Sequence, residues 1–385
     1  MAHCRGSSVL CFARKRIQFT KCAIFLAKCG IWGHYSRDGC GRFLQQKEEG
    51  FSLTYSTYPT GKVRTVTGDV SPDSLGTVSA HEHLWVGPSL MTSLEPEFLL
   101  NDLERTVTGV KQFIHSGGKA LVDALPLIEG RSARALREIS NRTRVPLIAM
   151  TGFHRLKYYS GGHWIHSQSA NELAEILICE LQNGMDERCS LGPKPVPTDI
   201  RAGALKIATE FHHVPNRTEV LIEAVILAHH ATGSPIMIHI EQGTAAHAAL
   251  DLFESHDVPL EAIMLSHADR NPDRVLHKEL ASRNCYLGYD WMGRIKVRPD
   301  SVVYELISEL TTAGYANRIT LGLDLVRRTY WPSYGGGPGL QYLFGEFVPR
   351  LRSFGISDGD IQLISATNPQ KWLTFRAPLN LPREK

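Results

Sequence analysis

The sequence predicts an α/β protein of the (β/α)8 TIM-barrel class. From residue 60 onward, short apolar runs bounded by turn residues alternate with amphipathic stretches. Strand followed by helix, repeated eight times, indicates a parallel sheet, because parallel strands need crossover connections. Eight such units in the remaining length suit a closed barrel. An open, doubly wound sheet is the structural alternative, but no Gly-x-Gly-x-x-Gly follows the first strand to favour a dinucleotide fold.

The expected strands, in order, are Thr77–His83, Ala120–Ala124, Pro146–Thr151, Ala202–Thr209, Pro235–Ile240, Ala262–His267, Cys285–Tyr289 and Ile319–Asp324. Four helices carry clear signals between them. Asn171–Gln182 is stopped by Asn183-Gly184. Glu219–Ala231 is opened by Asn216 with Glu219 three residues on, and closed by Gly233. Ala245–Glu254 and Ser301–Thr312 complete the set, the latter ended by Gly314.

Composition narrows the class. A chain of 385 residues, 43% hydrophobic and 21% charged, can bury a large core. A net charge of +3 is too small to argue for nucleic acid. No apolar run approaches the roughly 18 residues of a membrane span. Five of the eight cysteines lie in the first forty residues, so the body has no disulfide framework and reads as cytoplasmic. The first fifty residues hold nine Lys/Arg against three acids, with broken periodicity. Residues 1–60 are expected to be an appended extension, disordered or belonging to a start site upstream of the true one. Residues 61–380 form the barrel domain.

The chemistry is expected at strand ends. His81 and His83 alternate on the first strand, so both imidazoles share a face and can grip a metal. Glu82 points the other way, toward the barrel wall. His239, His267 and Asp324 end later strands, at the rim where barrels place their chemistry. Any one of these fits an ordinary structural role, such as a helix cap. Lys206 does not, because burying an ammonium is costly unless it is paired or neutralised. A neutral lysine amine can capture carbon dioxide as a carbamate, an anion able to bridge two metal ions.

These residues give the chain a resemblance to the phosphotriesterase family of the amidohydrolase superfamily, from about Val66 to Phe375. The shared features include Thr-Val-Thr-Gly-Asp, Ala-His-Glu-His-Leu, the lysine of strand four, both later histidines, the Leu-Asp of strand eight and Ala-Thr-Asn-Pro near the end. The resemblance implies a binuclear centre of two divalent ions, expected to be zinc. His81, His83 and Asp324 would hold the more buried ion and His239 and His267 the other, with carboxylated Lys206 as the bridge. It also implies a metal-bridging hydroxide as nucleophile, with Asp324 shuttling the proton.

Two segments look like the branch of this family that opens phosphorylated sugar lactones: Tyr289–Ser301 and Asp324–Gly339. They carry Arg294, Lys296, Arg298, Arg327 and Arg328 on the loops after strands seven and eight, where barrels often bind phosphate. Lys296, Arg327, Tyr330 and Arg294 are the expected phosphate contacts, and the Gly335–Gly337 run offers backbone N–H groups. The expected substrate is a small molecule, and a homodimer fits the class. The nearest rival is a phosphotriesterase acting on neutral organophosphates, which Trp291, Trp331 and Tyr334 keep open. A mononuclear deaminase has no use for the lysine. A non-catalytic barrel would have lost ligands, and none is missing.

Overall fold

The computed structural model describes residues 59–189 and 192–379. The expected extension falls outside the described residues, apart from its last two positions. All eight expected strands form: β1 (Val78–Glu82), β2 (Ala120–Asp123), β3 (Leu147–Gly152), β4 (Ala204–Ala208), β5 (Ile236–His239), β6 (Ile263–Ser266), β7 (Tyr286–Tyr289) and β8 (Ile319–Leu321). Each pairs in parallel with its sequence neighbour. The order never reverses, as it would in a doubly wound sheet. Closure comes just past β8, where the N–H groups of Leu323 and Asp324 donate to the His81 carbonyl at 3.2 and 2.9 Å. Gly322 permits that approach: a Cβ there would lie 2.8 Å from the His81 nitrogen.

The crossovers are helices α1 (Leu103–His115), α2 (Ala133–Thr143), α3 (Ala170–Gln182), α4 (Asn216–Thr232), α5 (Ala246–Glu254), α6 (Arg274–Ser282) and α7 (Ser301–Thr312). Asp102, Ser132, Ser169 and Asp273 cap their helices with side-chain oxygens, and Glu172 completes a capping box with Ser169. The start of α4 differs from expectation. Asn216 is its first helical residue and no side-chain cap forms, because Pro215 precedes it in extended backbone. Gly233 ends α4 in the left-handed conformation at φ 70°, as expected.

Two cores result. The larger packs helices on the outside of the barrel; the smaller fills its inside with Val78, Ala80, Val122, Ala204, Met237 and Met264. Lys206 follows Ala204 on that inward face, one pleat closer to the rim. Trp372 plugs the opposite end, donating Nε1–H to the Ile236 carbonyl at 3.0 Å. Asn368 of the Ala-Thr-Asn-Pro run donates to the carbonyls of Ala316 and Ile319, at 2.8 and 2.7 Å, and so anchors the base of β8. No helix among the described residues is long and apolar enough to cross a membrane.

Candidate metal centre

The six expected ligands converge. His81, His83, Lys206, His239, His267 and Asp324 line one cavity of about 390 Å³ at the C-terminal ends of the strands. All six are buried. Asp324 Oδ1 lies 3.7 Å from His81 Nε2 and 3.4 Å from His83 Nε2. Across the cavity, His239 Nδ1 and His267 Nε2 meet at 2.8 Å. Donor atoms of His81, His83 and Asp324 all fall within 4.8 Å of one another, the spread expected of residues that can hold one cation. His81 Nε2 and His83 Nδ1 are buried with no hydrogen-bond partner among the described residues. Lone polar atoms of this kind are costly unless something satisfies them.

Burial sets the electrostatics. It pushes His81 down to about 3 and His267 below its ordinary value, despite the Asp290 carboxylate beside both. It also pushes Lys206 down to about 8. The Lys206 amine donates only to the Ala124 carbonyl, at 2.8 Å, and forms no ion pair among the described residues. Burial pushes Asp324 up, but the hydrogen bond with His83 and the charges of His81, His267 and Arg270 outweigh it. They hold Asp324 well below the usual carboxylate range. His267 and Asp324 adopt left-handed backbone, at φ 67° and 49°. Such strain in non-glycine residues concentrates at functional sites.

Several site residues escaped the sequence reading. Asp290, just past β7, accepts from His81 Nδ1 and His267 Nδ1, both at 2.7 Å, and from the His267 N–H at 3.0 Å. Its signal was its place at a strand end, the same signal that marked Asp324. Arg270 donates to Asp324 Oδ2 at 2.8 Å and packs over Trp291. His154, past β3, accepts the Arg155 N–H on Nδ1 at 2.7 Å, so its proton sits on Nε2. Glu241 accepts from His239 Nε2 at 2.8 Å and pairs with Arg155 at 2.7 Å.

The four expected phosphate contacts separate. Arg327 and Tyr330 line the cavity, with Arg327 over the Phe98 ring and 3.2 Å from Glu95 Oε2. Arg294 also lines it, but its guanidinium donates to four backbone carbonyls, those of Asp290, Met292, Leu323 and Asp324. Lys296 sits exposed between Ile295 and Val297, outside the cavity wall. Arg298 and Arg328 pair with Asp269 and Glu97. The N–H groups of Gly335, Gly336 and Gly337 all donate to carbonyls of their own loop, so they are not offered to an anion. Of the aromatic candidates only Trp291 reaches the cavity. Trp331 is buried and donates to the Leu325 carbonyl, and Tyr334 is bonded to the Asp102 backbone.

Comparison with known proteins gives the family. The profile of the phosphotriesterase family matches residues 61–373. A phospho-furanose lactonase of Mycoplasmopsis agalactiae is 30% identical over 328 residues, covering 82% of this chain and 92% of that protein. The crystal structure of an amidohydrolase from Mycoplasma synoviae superposes with a TM-score of 0.80 at 28% identity, covering 83% of this chain and 94% of the other. That of a lactonase from Listeria monocytogenes superposes with a TM-score of 0.75 at 28% identity, covering 82% and 100%. A TIM barrel with these histidines at its rim, matched over most of its length, belongs to the phosphotriesterase family, and with it to the hydrolases that act on ester bonds.

Proposed function

We propose that this chain is a binuclear metal-dependent hydrolase that opens the ester of a phosphorylated sugar lactone. The observation that carries the reading is the convergence of His81, His83, His239, His267, the buried Lys206 amine and Asp324 on a single cavity whose wall also bears Arg327 and Tyr330. The lactonases among its relatives support it.

The residues fit two divalent ions, with zinc suited to imidazole and carboxylate donors. His81, His83 and Asp324 would hold one, His239 and His267 the other. Lys206 would lie between them as a carbamate. Its burial favours the neutral amine that such chemistry requires. Bound ions supply an acidified water and an electrophilic partner for the lactone carbonyl.

The chain's own groups do the rest. Asp324 accepts the proton of the attacking water and returns it to the departing ring oxygen. Arg270 fixes Asp324 Oδ2, which leaves Oδ1 turned toward His81 and His83. Asp290 holds His81 and His267 with Nδ1–H outward, so that each presents Nε2 to the cavity. His154 brings a fixed Nε2–H to the same space. Arg327 and Tyr330 grip the distal phosphate and orient the ring.

A rate screen tests this reading. It sets phosphorylated aldonolactones beside their unphosphorylated counterparts and a neutral organophosphate triester. The phosphorylated lactones should be fastest in kcat/KM. A neutral triester has no anion for Arg327 to recognise, and a clear preference for it would overturn the choice in favour of a phosphotriesterase.

A further inference from the structure

Asp324 is the residue on which the proposed chemistry turns, and its backbone is unusually constrained. At φ 49° it occupies the left-handed region, where non-glycine residues are uncommon. Its neighbours are tied on both sides. Glu82 accepts the Leu323 N–H on Oε1 at 2.9 Å and the Leu325 N–H on Oε2 at 3.3 Å. Arg294 donates through one nitrogen to the carbonyls of Leu323 and Asp324, at 2.7 and 2.8 Å. Its other terminal nitrogen donates to Asp290 and Met292, each at 3.2 Å. Ser79 Oγ bonds Glu82 Oε1 at 2.5 Å and fixes that carboxyl. One fork thereby ties the end of β7 to the end of β8, and one carboxyl group spans the peptide on either side of Asp324.

We propose that Glu82 and Arg294 are positioning residues: together they clamp the Asp324 peptide in its left-handed turn, and Arg294 acts there rather than on phosphate. The inference rests on the reading of Asp324 as ligand and proton shuttle. It accounts for the acid between His81 and His83, which faces away from the candidate ligands yet is completely buried. It also accounts for an arginine at the rim whose terminal nitrogens are all engaged by backbone. A planar guanidinium can bridge four carbonyls in this way; an ammonium cannot.

The test uses Arg294→Lys and Glu82→Gln, each with a phosphorylated lactone and its dephosphorylated counterpart. A displaced Asp324 should lower kcat about 10- to 100-fold, equally for both substrates. KM should stay within about twofold. A second readout needs no substrate: competition with a chelating dye should show one of two zinc ions bound about tenfold more weakly in each variant. Two outcomes overturn the clamp. One is a KM rise confined to the phosphorylated lactone in Arg294→Lys, which makes Arg294 a phosphate ligand. The other is wild-type kcat and ion affinity with only a lowered melting temperature, which makes the contacts merely structural. Should Arg294→Lys not fold, the near-isosteric Glu82→Gln carries the test. Should the wild-type protein hydrolyse no lactone, the lactonase reading fails while ion affinity still decides the clamp.

Discussion

Asp290→Asn is the most informative single change, because it removes a charge without removing volume. The native carboxylate has two oxygens and three donors: Nδ1 of His81 and of His267 at 2.7 Å, and the His267 backbone N–H at 3.0 Å. With both Nδ1 atoms protonated, both Nε2 atoms are lone pairs facing the cavity. Asparagine keeps one oxygen and turns an NH2 group toward the other ring. That ring must then present a bare Nδ1, which moves its proton to Nε2 and aims it at the ion. The His267 N–H shares Oδ2 with His81 Nδ1, so the amide oxygen must stay there, the NH2 group takes the Oδ1 position, and His267 is the ring that flips; the ion proposed at His239 and His267 loses a donor. Changes to such supporting carboxylates cost about 10- to 100-fold in metal affinity, or roughly 1.4–2.7 kcal/mol. Equilibrium competition of the apo-protein against a zinc chelator reads this directly, with ion content checked by elemental analysis. The variant should bind one ion normally and the other about 10- to 100-fold more weakly. Two ions held with wild-type affinity would refute the tautomer argument.

Other perturbations probe other links. Gly322→Ala places a Cβ 2.8 Å from the His81 nitrogen and 2.9 Å from its carbonyl oxygen, neither of which is a flexible side chain. Overpacking there should cost about 1–3 kcal/mol in urea unfolding, and wild-type stability would show that β1 and β8 have slack at the closure. Arg327→Met should raise KM for a phosphorylated lactone about 10- to 100-fold and leave the unphosphorylated one unchanged, and equal effects on both would remove Arg327 from phosphate recognition. His229 is buried, bonds the Ser234 carbonyl at 2.7 Å, and is pushed down by that burial to about 4. Its unfolded value is about 6.5, so the folded state resists protonation. The stability it contributes is full above about pH 6.5 and is lost as pH falls toward 4. The loss by pH 5 is about 2 kcal/mol. Denaturant unfolding at pH 7.5 and pH 5 should therefore show a smaller acid loss in His229→Gln than in the wild type, and equal losses would contradict the assignment.

The strands were legible because their signal is local. A buried parallel strand must be a short apolar run, and each of the eight announces itself in isolation. The candidate ligands stood out for a related reason: a histidine or lysine placed in or just after such a run has few cheap ways to be buried. The start of α4 was misread because Asn216 and Glu219 have the spacing of a capping box, while Pro215 before them already sets the chain's entry. The glycine run 335–337 was misread because its N–H groups find partners within the loop itself, a matter of turn geometry rather than composition.

What the sequence could not disclose is pairing across the barrel. Asp290 has a sequence context close to that of Asp324, an acid at or just past the end of an apolar run. Nothing local says that Asp290 will support two imidazoles while Asp324 faces the cavity between them. Arg294 and Arg327 likewise look interchangeable as basic residues on adjacent rim loops. Closure of the barrel separates them. Because β8 must approach β1 at Gly322, the carbonyls of Leu323 and Asp324 turn away from any strand partner and need a donor. Arg294 is the group that reaches them. Arg327 lies beyond that junction, over Phe98 and at the cavity wall, where only Glu95 competes for it. A bound phosphate would have to displace that one exposed carboxylate from Arg327, whereas at Arg294 it would have to displace four carbonyls. On that comparison the proposed anion site falls on the Arg327 side of the cavity, and Arg294 belongs to the proposed frame around Asp324.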